Sequence, residues 1–389
     1  MRKIICVCMI IVSLFMFVSC AAQNNNGNTY ETESSDKVPV SQAWEGYEEL
    51  QGKNYGDVLV LPDKIIPSNI AELYTLPVDL SSDGDHSAQS KEYFKRFFGD
   101  GFDENAISFN EDEDTYIYAT ANGDFSAFGL GRPFTAIKGG ESPAAGEIIA
   151  YYNPWTDLDT VLEMANGSCT VKEVTDTVNS FLKDSYEPLF SDLDLKIESV
   201  MLYERAGDLK RIVRCKVSAS YRGLMLEDDL SPLFEVENKP FYKIITNYTP
   251  AKIEFELDSK DNIINAITTL LFANSEKSAK LEELISLSQA AELLEKELAL
   301  FSHYSISEIK LMYCCKVRLP SLAPPDMGPG QSVNDFPELE AEMYEEFGDI
   351  PPCTFVPTWC FYLQNQNGNR DSLKVNAVTG EITVDINRG

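Results

Sequence analysis

The sequence predicts an α+β protein: two consecutive modules, each a helix packed on a curled antiparallel sheet, after an N-terminal α+β domain. Three observations predict it. A capping box opens an amphipathic helix twice, at Thr170-Val171-Lys172-Glu173 and at Ser286-Leu287-Ser288-Gln289. Each helix is followed by β-rich segments separated by turn residues. The landmarks also recur at similar offsets. The boxes lie 116 residues apart, Tyr203 and Tyr313 lie 110 apart, and Pro250 and Pro357 lie 107 apart.

Residues 1–19 read as an export signal. Arg2 and Lys3 precede an apolar run from Ile4 to Val18, and the polar stretch Gln23 to Asn28 follows. Phe17-Val18-Ser19-Cys20 resembles the bacterial lipobox, which implies cleavage before Cys20 and a diacylglyceryl thioether on its sulfur. Residues 20–45 are then the lipidated cysteine and a polar tether with no apolar period. The expected location is the bacterial cell envelope, outside the cytoplasm and held to a membrane by lipid. No later stretch is apolar for the ~18 residues that a membrane span needs.

Residues 46–165 read as the N-terminal α+β domain. Tyr93, Phe94, Phe97 and Phe98 give Ser87 to Phe98 a helical apolar face. Thr115 to Ala119 and Phe125 to Phe128 flank Asn122-Gly123, which predicts a hairpin. Glu147 to Tyr152 predicts another strand.

The first module spans residues 166–275. Val171, Val174, Val178, Phe181 and Leu182 share one helical face. Strands are expected at Leu195 to Tyr203, Leu209 to Tyr221, Thr249 to Leu257 and Ile263 to Ile267. The second module spans residues 276–389. Leu287, Ala290, Leu294, Leu298 and Phe301 form the helical face. Strands are expected at Glu308 to Arg318, Val356 to Tyr362, Ser372 to Ala377 and Glu381 to Ile386. A helix followed by antiparallel strands buries both apolar faces when the sheet curls over the helix.

This order of elements resembles cystatin-like modules. The second copy also resembles PepSY and YycH/YycI-type extracytoplasmic modules. The resemblance is carried by Ser286-Leu287-Ser288-Gln289-Ala290-Ala291, by Val356-Pro357-Thr358-Trp359-Cys360-Phe361-Tyr362, and by the ending Val375-Asn376-Ala377-Val378-Thr379-Gly380-Glu381-Ile382. It covers roughly residues 286–387, more loosely 168–267, and leaves out the N-terminal domain. It implies regulation of sensor kinases or association with peptidases and wall components, and it transfers no catalytic residue.

Composition excludes some functions. Loss of residues 1–19 removes Arg2 and Lys3 and no acidic residue. Thirty basic residues then face 62 acidic ones, a net charge of −32. Such a polyanion repels nucleic acid, so no nucleic-acid partner is expected. Catalysis that depends on histidine has only His86 and His303 to draw on. The sequence holds no G-x-S-x-G, no H-E-x-x-H and no phosphate-binding G-x-x-x-x-G-K-[ST]. No catalytic residue and no cofactor beyond the lipid on Cys20 is expected.

Three groups of residues are candidates for other chemistry. Asp79, Ser81, Asp83 and Asp85 place oxygens at alternate positions of a calcium-type loop, but its twelfth position is Ser90. Six cysteines remain in the body: Cys169, Cys215, Cys314, Cys315, Cys353 and Cys360. They are candidates for disulfides, with buried free thiols as the alternative. If the strands holding Cys314-Cys315 and Cys353/Cys360 pair, one of the adjacent cysteines comes within reach of Cys360 or Cys353, because neighbours on a strand face opposite sides. Trp359 and Phe361 share a strand face. They serve either as core against Leu294 and Leu298 or as a sugar-stacking platform.

The leading expectation is a non-enzymatic binding or regulatory module that acts on a membrane or envelope protein. A carbohydrate- or peptide-binding surface lipoprotein is the alternative, and a carboxylate-based hydrolase is third.

Overall fold

In the computed structural model, residues 37–56, 58–77, 86–111, 115–129, 134–140, 146–206, 209–227, 233–235, 251–269, 278–298, 303–318, 353–363 and 371–385 are described. In chain order the principal elements are β1 (Leu73–Pro77), α1 (Ser87–Phe98), β2 (Ile107–Asn110), β3 (Thr115–Ala119), β4 (Phe125–Phe128), β5 (Phe134–Ile137) and β6 (Gly146–Tyr152). Next come α2 (Val171–Phe181), β7 (Leu193–Arg205), β8 (Arg211–Tyr221), β9 (Ile253–Ser259) and β10 (Asn262–Thr268). The chain ends with α3 (Leu287–Leu298), β11 (Tyr304–Arg318), β12 (Cys353–Leu363), β13 (Ser372–Asn376) and β14 (Ile382–Asp385). The protein is thus mixed α+β, mostly antiparallel sheet with few helices.

The two helices predicted to open with a capping box begin with that cap. The Thr170 hydroxyl accepts from the Glu173 amide at 3.2 Å, and the Thr170 amide donates to the Glu173 carboxylate at 2.8 Å. The Gln289 amide donates to the Ser286 hydroxyl at 3.3 Å, and the Ser286 amide donates to the Gln289 side chain at 2.7 Å. Each reciprocal pair satisfies two otherwise orphaned donors. After each helix, four strands pair in sequential order, β7-β8-β9-β10 and β11-β12-β13-β14. The proline landmarks do not coincide, however. Pro250 precedes the third strand of its copy, β9, whereas Pro357 lies inside the second strand β12, opposite Tyr313.

The segment 46–165 does not build a sheet of its own. Strands β2 to β5 extend the first sheet through β10, and β6 adds to its other end through β7. The order is β2-β3-β4-β5-β10-β9-β8-β7-β6. Strand β1 instead joins β12 of the second sheet, and Leu59–Val60 runs parallel to β11. In the first sheet β5 and β6 supply hydrogen bonds to the outer sides of β10 and β7, and in the second β1 pairs with the stretch of β12 that lies beyond β13. Helix α1 packs with α2 over the first sheet, where the Tyr93 ring meets Phe128 and Phe134 at 5.3 Å and Phe181 at 6.2 Å. The described residues therefore form one compact unit with no break at residue 165.

The predicted hairpin at Asn122-Gly123 is present as β3 paired with β4. Gly123 has φ +89°, and a Cβ there would stand 2.9 Å from the Gly140 nitrogen. Glycine is required for both reasons.

The two sheets meet around Tyr313 and Glu72. The Tyr74 amide donates to the Tyr313 hydroxyl, and Leu226 bridges to Tyr313. Glu72 accepts from Lys280 at 2.9 Å, from Arg222 at 2.8 Å and from the Tyr74 hydroxyl at 2.8 Å. The Lys280 hydrogen bond, followed by that of Tyr74, holds the Glu72 carboxyl down to about 2 from its ordinary 4.5. A depressed carboxyl stabilises the fold fully above its unfolded value, and that contribution disappears as pH falls through the folded value. The Glu72 carboxyl carbon, followed by NMR, is therefore expected to titrate near 2 and to move back toward 4.5 in Lys280→Ala. A midpoint already at the ordinary value in the unsubstituted protein counts against this network.

Candidate functional site

Three features of the fold offer chemistry or contact: a cavity under α1 and α2, the free edge at β6, and a buried polar cluster in the second sheet.

The cavity encloses about 600 Å³. Helix α1 contributes Arg96 and Phe97, α2 contributes Thr177, Ser180 and Phe181, and the following π turn contributes Asp184 and Ser185. Lys138 and Asp261 complete the polar lining. The Lys138 ammonium stands 5.2 Å from the centre of the Phe97 ring and donates to Asn262 at 3.1 Å. Burial lowers its pKa from the ordinary lysine value. Arg96 donates to Glu92 one turn back at 2.8 Å. The lining thus combines two cations, two aromatic rings and two carboxylates. It suits a polar ligand with an apolar portion.

Strand β6 ends the first sheet, and among the described residues no strand pairs with its outer side. Ile148, Ile149 and Tyr151 on this strand are exposed, Tyr151 at 67%, and Trp155 just beyond it is 62% exposed. Edge strands are usually protected by charge, proline or shortness. Here seven residues carry one charge, Glu147.

The third feature lies between β11, β12 and β13. The Cys314 and Cys360 sulfurs are 3.5 Å apart and fully buried. The Glu227 carboxylate lies within 4.8 Å of both sulfurs and contacts the Lys374 ammonium at 3.0 Å. Lys374 is 0% exposed and Glu227 3%. Met312, Val356 and Tyr362 surround the group. Burial, with the neighbouring Cys360 and Glu227, pushes the Cys314 thiol well above its ordinary range.

The predicted site residues fall as follows. Cys20 and the loop Asp79, Ser81, Asp83, Asp85 lie outside the described residues. Cys169, Cys215, Cys314, Cys315 and Cys360 are buried free thiols. Strands β11 and β12 pair as anticipated, and Cys314 and Cys315 face opposite sides. Cys315 enters the main core and Cys314 the smaller cluster. Cys353 pairs with Val317 through the backbone. Cys169 meets the Met164 sulfur at 3.2 Å, and burial raises the Cys215 thiol well above its ordinary range. Trp359 and Phe361 are core, both 0% exposed. His86 occupies the N-cap position of α1 without a side-chain capping bond, and His303 is exposed just before β11. Glu227 and Lys374 carried no signal in the sequence, because Leu373-Lys374-Val375 reads as a strand that turns its lysine to solvent.

No family model and no curated protein matches the chain. It is similar to the crystal structure of an uncharacterized protein from Eubacterium rectale ATCC 33656. The TM-score is 0.43 and the identity 13%, over 84% of this chain and 91% of that one.

Proposed function

We propose that this chain is a non-enzymatic, lipid-anchored binding protein of the bacterial envelope, built on tandem cystatin- or PepSY-like modules, that engages a membrane or envelope protein through β6. The lipobox-like segment ending at Cys20 supports the anchor. The carrying observation is the outer edge of β6, unpaired among the described residues, with Ile148, Ile149, Tyr151 and the adjacent Trp155 exposed. An extended partner segment adds to such an edge by main-chain hydrogen bonds, with alternate side chains setting specificity. The net charge of −32 after cleavage before Cys20 selects a partner segment with basic flanks.

The test is photocrosslinking of the full chain in its native envelope. A benzophenone amino acid at Ile149 or Tyr151 is expected to capture one membrane or envelope protein. The same group at Val384, exposed on the second sheet, is expected to miss it. Ile149→Lys is expected to abolish co-purification of that partner without changing the thermal melt. Equal capture at positions 149 and 384 would overturn the edge as the docking surface.

The alternative is a surface lipoprotein that binds a carbohydrate or peptide, and the cavity beside Arg96, Lys138, Phe97 and Phe181 favours it. On that reading, Lys138→Met weakens ligand binding while crosslinking at Ile149 is unaffected.

A further inference from the structure

We propose that Cys314, Cys360 and Glu227 form a site for a thiophilic divalent cation of the zinc class, with Lys374 as the partner that orients the carboxylate. The first argument is spacing. Two thiolates bound tetrahedrally to zinc at ~2.3 Å stand ~3.7 Å apart, and a carboxylate oxygen completes a face at a similar distance. The two sulfurs here are 3.5 Å apart, and the Glu227 carboxylate lies within 4.8 Å of both.

The second argument is the register, which sets this pair apart from a disulfide. Cys314 lies opposite Val356, and Cys360 lies opposite Lys310. The residues are therefore four rungs out of step on neighbouring strands. On a regular ladder four rungs amount to ~13 Å along the strand, so the sulfurs reach 3.5 Å only because the strands coil. A disulfide closes only when the Cα atoms are within about 7 Å. A tetrahedral metal ion needs the sulfurs ~3.7 Å apart, close to the 3.5 Å already present.

The third argument is charge. The interior already holds one carboxylate and one ammonium, which cancel. Loading a divalent cation releases the two thiol protons to solvent, so the site's net charge does not change. Changing the net charge of a buried site would cost several kcal/mol. The soft donor set and the adjacent Met312 thioether favour zinc-class ions over calcium or magnesium. Three protein donors leave a fourth position for water or a backbone carbonyl. Cys360 already directs its thiol toward the Thr358 carbonyl at 3.8 Å. Because the thiols are fully buried, loading accompanies folding.

The probes are Co²⁺ and Zn²⁺. The full-length chain in detergent is unfolded with reductant and chelator, then refolded with Co²⁺ in excess and desalted. The expected result is about one cobalt per chain with a thiolate-to-cobalt charge-transfer band, both displaced by Zn²⁺. Cys314→Ser with Cys360→Ser is expected to lose the band and the metal. Glu227→Gln is expected to keep the band and weaken cobalt binding by about tenfold or more. A refolded, unsubstituted chain that shows neither cobalt nor the band overturns the proposal, whether or not the serine variant folds. So does a cross-linked Cys314–Cys360 peptide lower by two hydrogens, which marks a disulfide between them.

Discussion

Trp359→Ala is expected to remove about 3–5 kcal/mol of folding stability. The indole is fully buried in β12, between Leu311 on β11 and Val375 on β13. Its N–H donates to the Ile285 carbonyl at 2.7 Å, and its ring meets Trp44 edge-on at 4.8 Å. Truncation opens a cavity beneath α3 and leaves a buried carbonyl without its donor. Either change alone costs on the order of 1 kcal/mol or more. Trp359→Phe retains most of the volume and loses the hydrogen bond, so its expected cost is smaller, about 1–3 kcal/mol. Denaturant unfolding followed by far-ultraviolet circular dichroism measures both, because the substitution removes one of the fluorophores. A residue kept for ligand stacking behaves otherwise: its loss lowers affinity and leaves the midpoint in place. A midpoint shift worth less than about 1 kcal/mol would sink the packing role.

The helices were legible in the sequence because their signals are local. A capping box and an apolar face lie within one turn of each other, so α2 and α3 start where Thr170 and Ser286 announce them. The hairpin at Asn122-Gly123 is local for the same reason. Sheet membership was not legible. Nothing within Phe134 to Ile137 says that β5 will pair with β10, more than a hundred residues later, or that β1 will pair with β12. The N-terminal segment reads as a domain because its strands are contiguous in sequence. Its strands are shared between two sheets because β7 and β10 of the first and the start of β12 in the second each have a side that they pair with. Proline offsets misled for a related reason: a proline ahead of one strand and a proline inside another look alike at similar spacing.

The buried cluster was half legible. Leu311-Met312-Tyr313-Cys314-Cys315 and Phe355-Val356 through Tyr362 are nearly unbroken apolar runs, the pattern of strands covered on both faces. That pattern predicts a second layer on the far side of β11 and β12, and Met312, Cys314, Val356, Cys360 and Tyr362 form it. It does not predict that a lysine joins the layer. Lys374 is flanked by Leu373 and Val375 and opposes Cys360, so the same covering layer encloses it. Only tertiary structure brings Glu227, from the end of a different module, to meet it.

Lys374→Met is accordingly expected to cost about 3–5 kcal/mol, close to the effect of losing Trp359 and by a different route. Methionine fills nearly the same space, so little cavity forms. What remains is the Glu227 carboxylate, 3% exposed, without the ammonium that stood 3.0 Å away. Glu227→Gln leaves the converse, a buried ammonium facing a neutral amide, and is expected to destabilise as well. The paired variant Lys374→Met with Glu227→Gln removes both charges together. Replacing a whole buried pair is often neutral, so the double variant is expected to recover most of the loss. The signature is a favourable coupling energy of about 2 kcal/mol or more in a double-mutant cycle. Additive effects would mean that the two side chains act independently and that the interior tolerates either charge alone. Metal-free protein, refolded with chelator, is the proper reference for this cycle. An ion held by Cys314 and Cys360 would take over part of the ammonium's role and shrink the coupling. Repeating the cycle with Zn²⁺ present therefore separates what Lys374 does for the fold from what it does for the thiol pair.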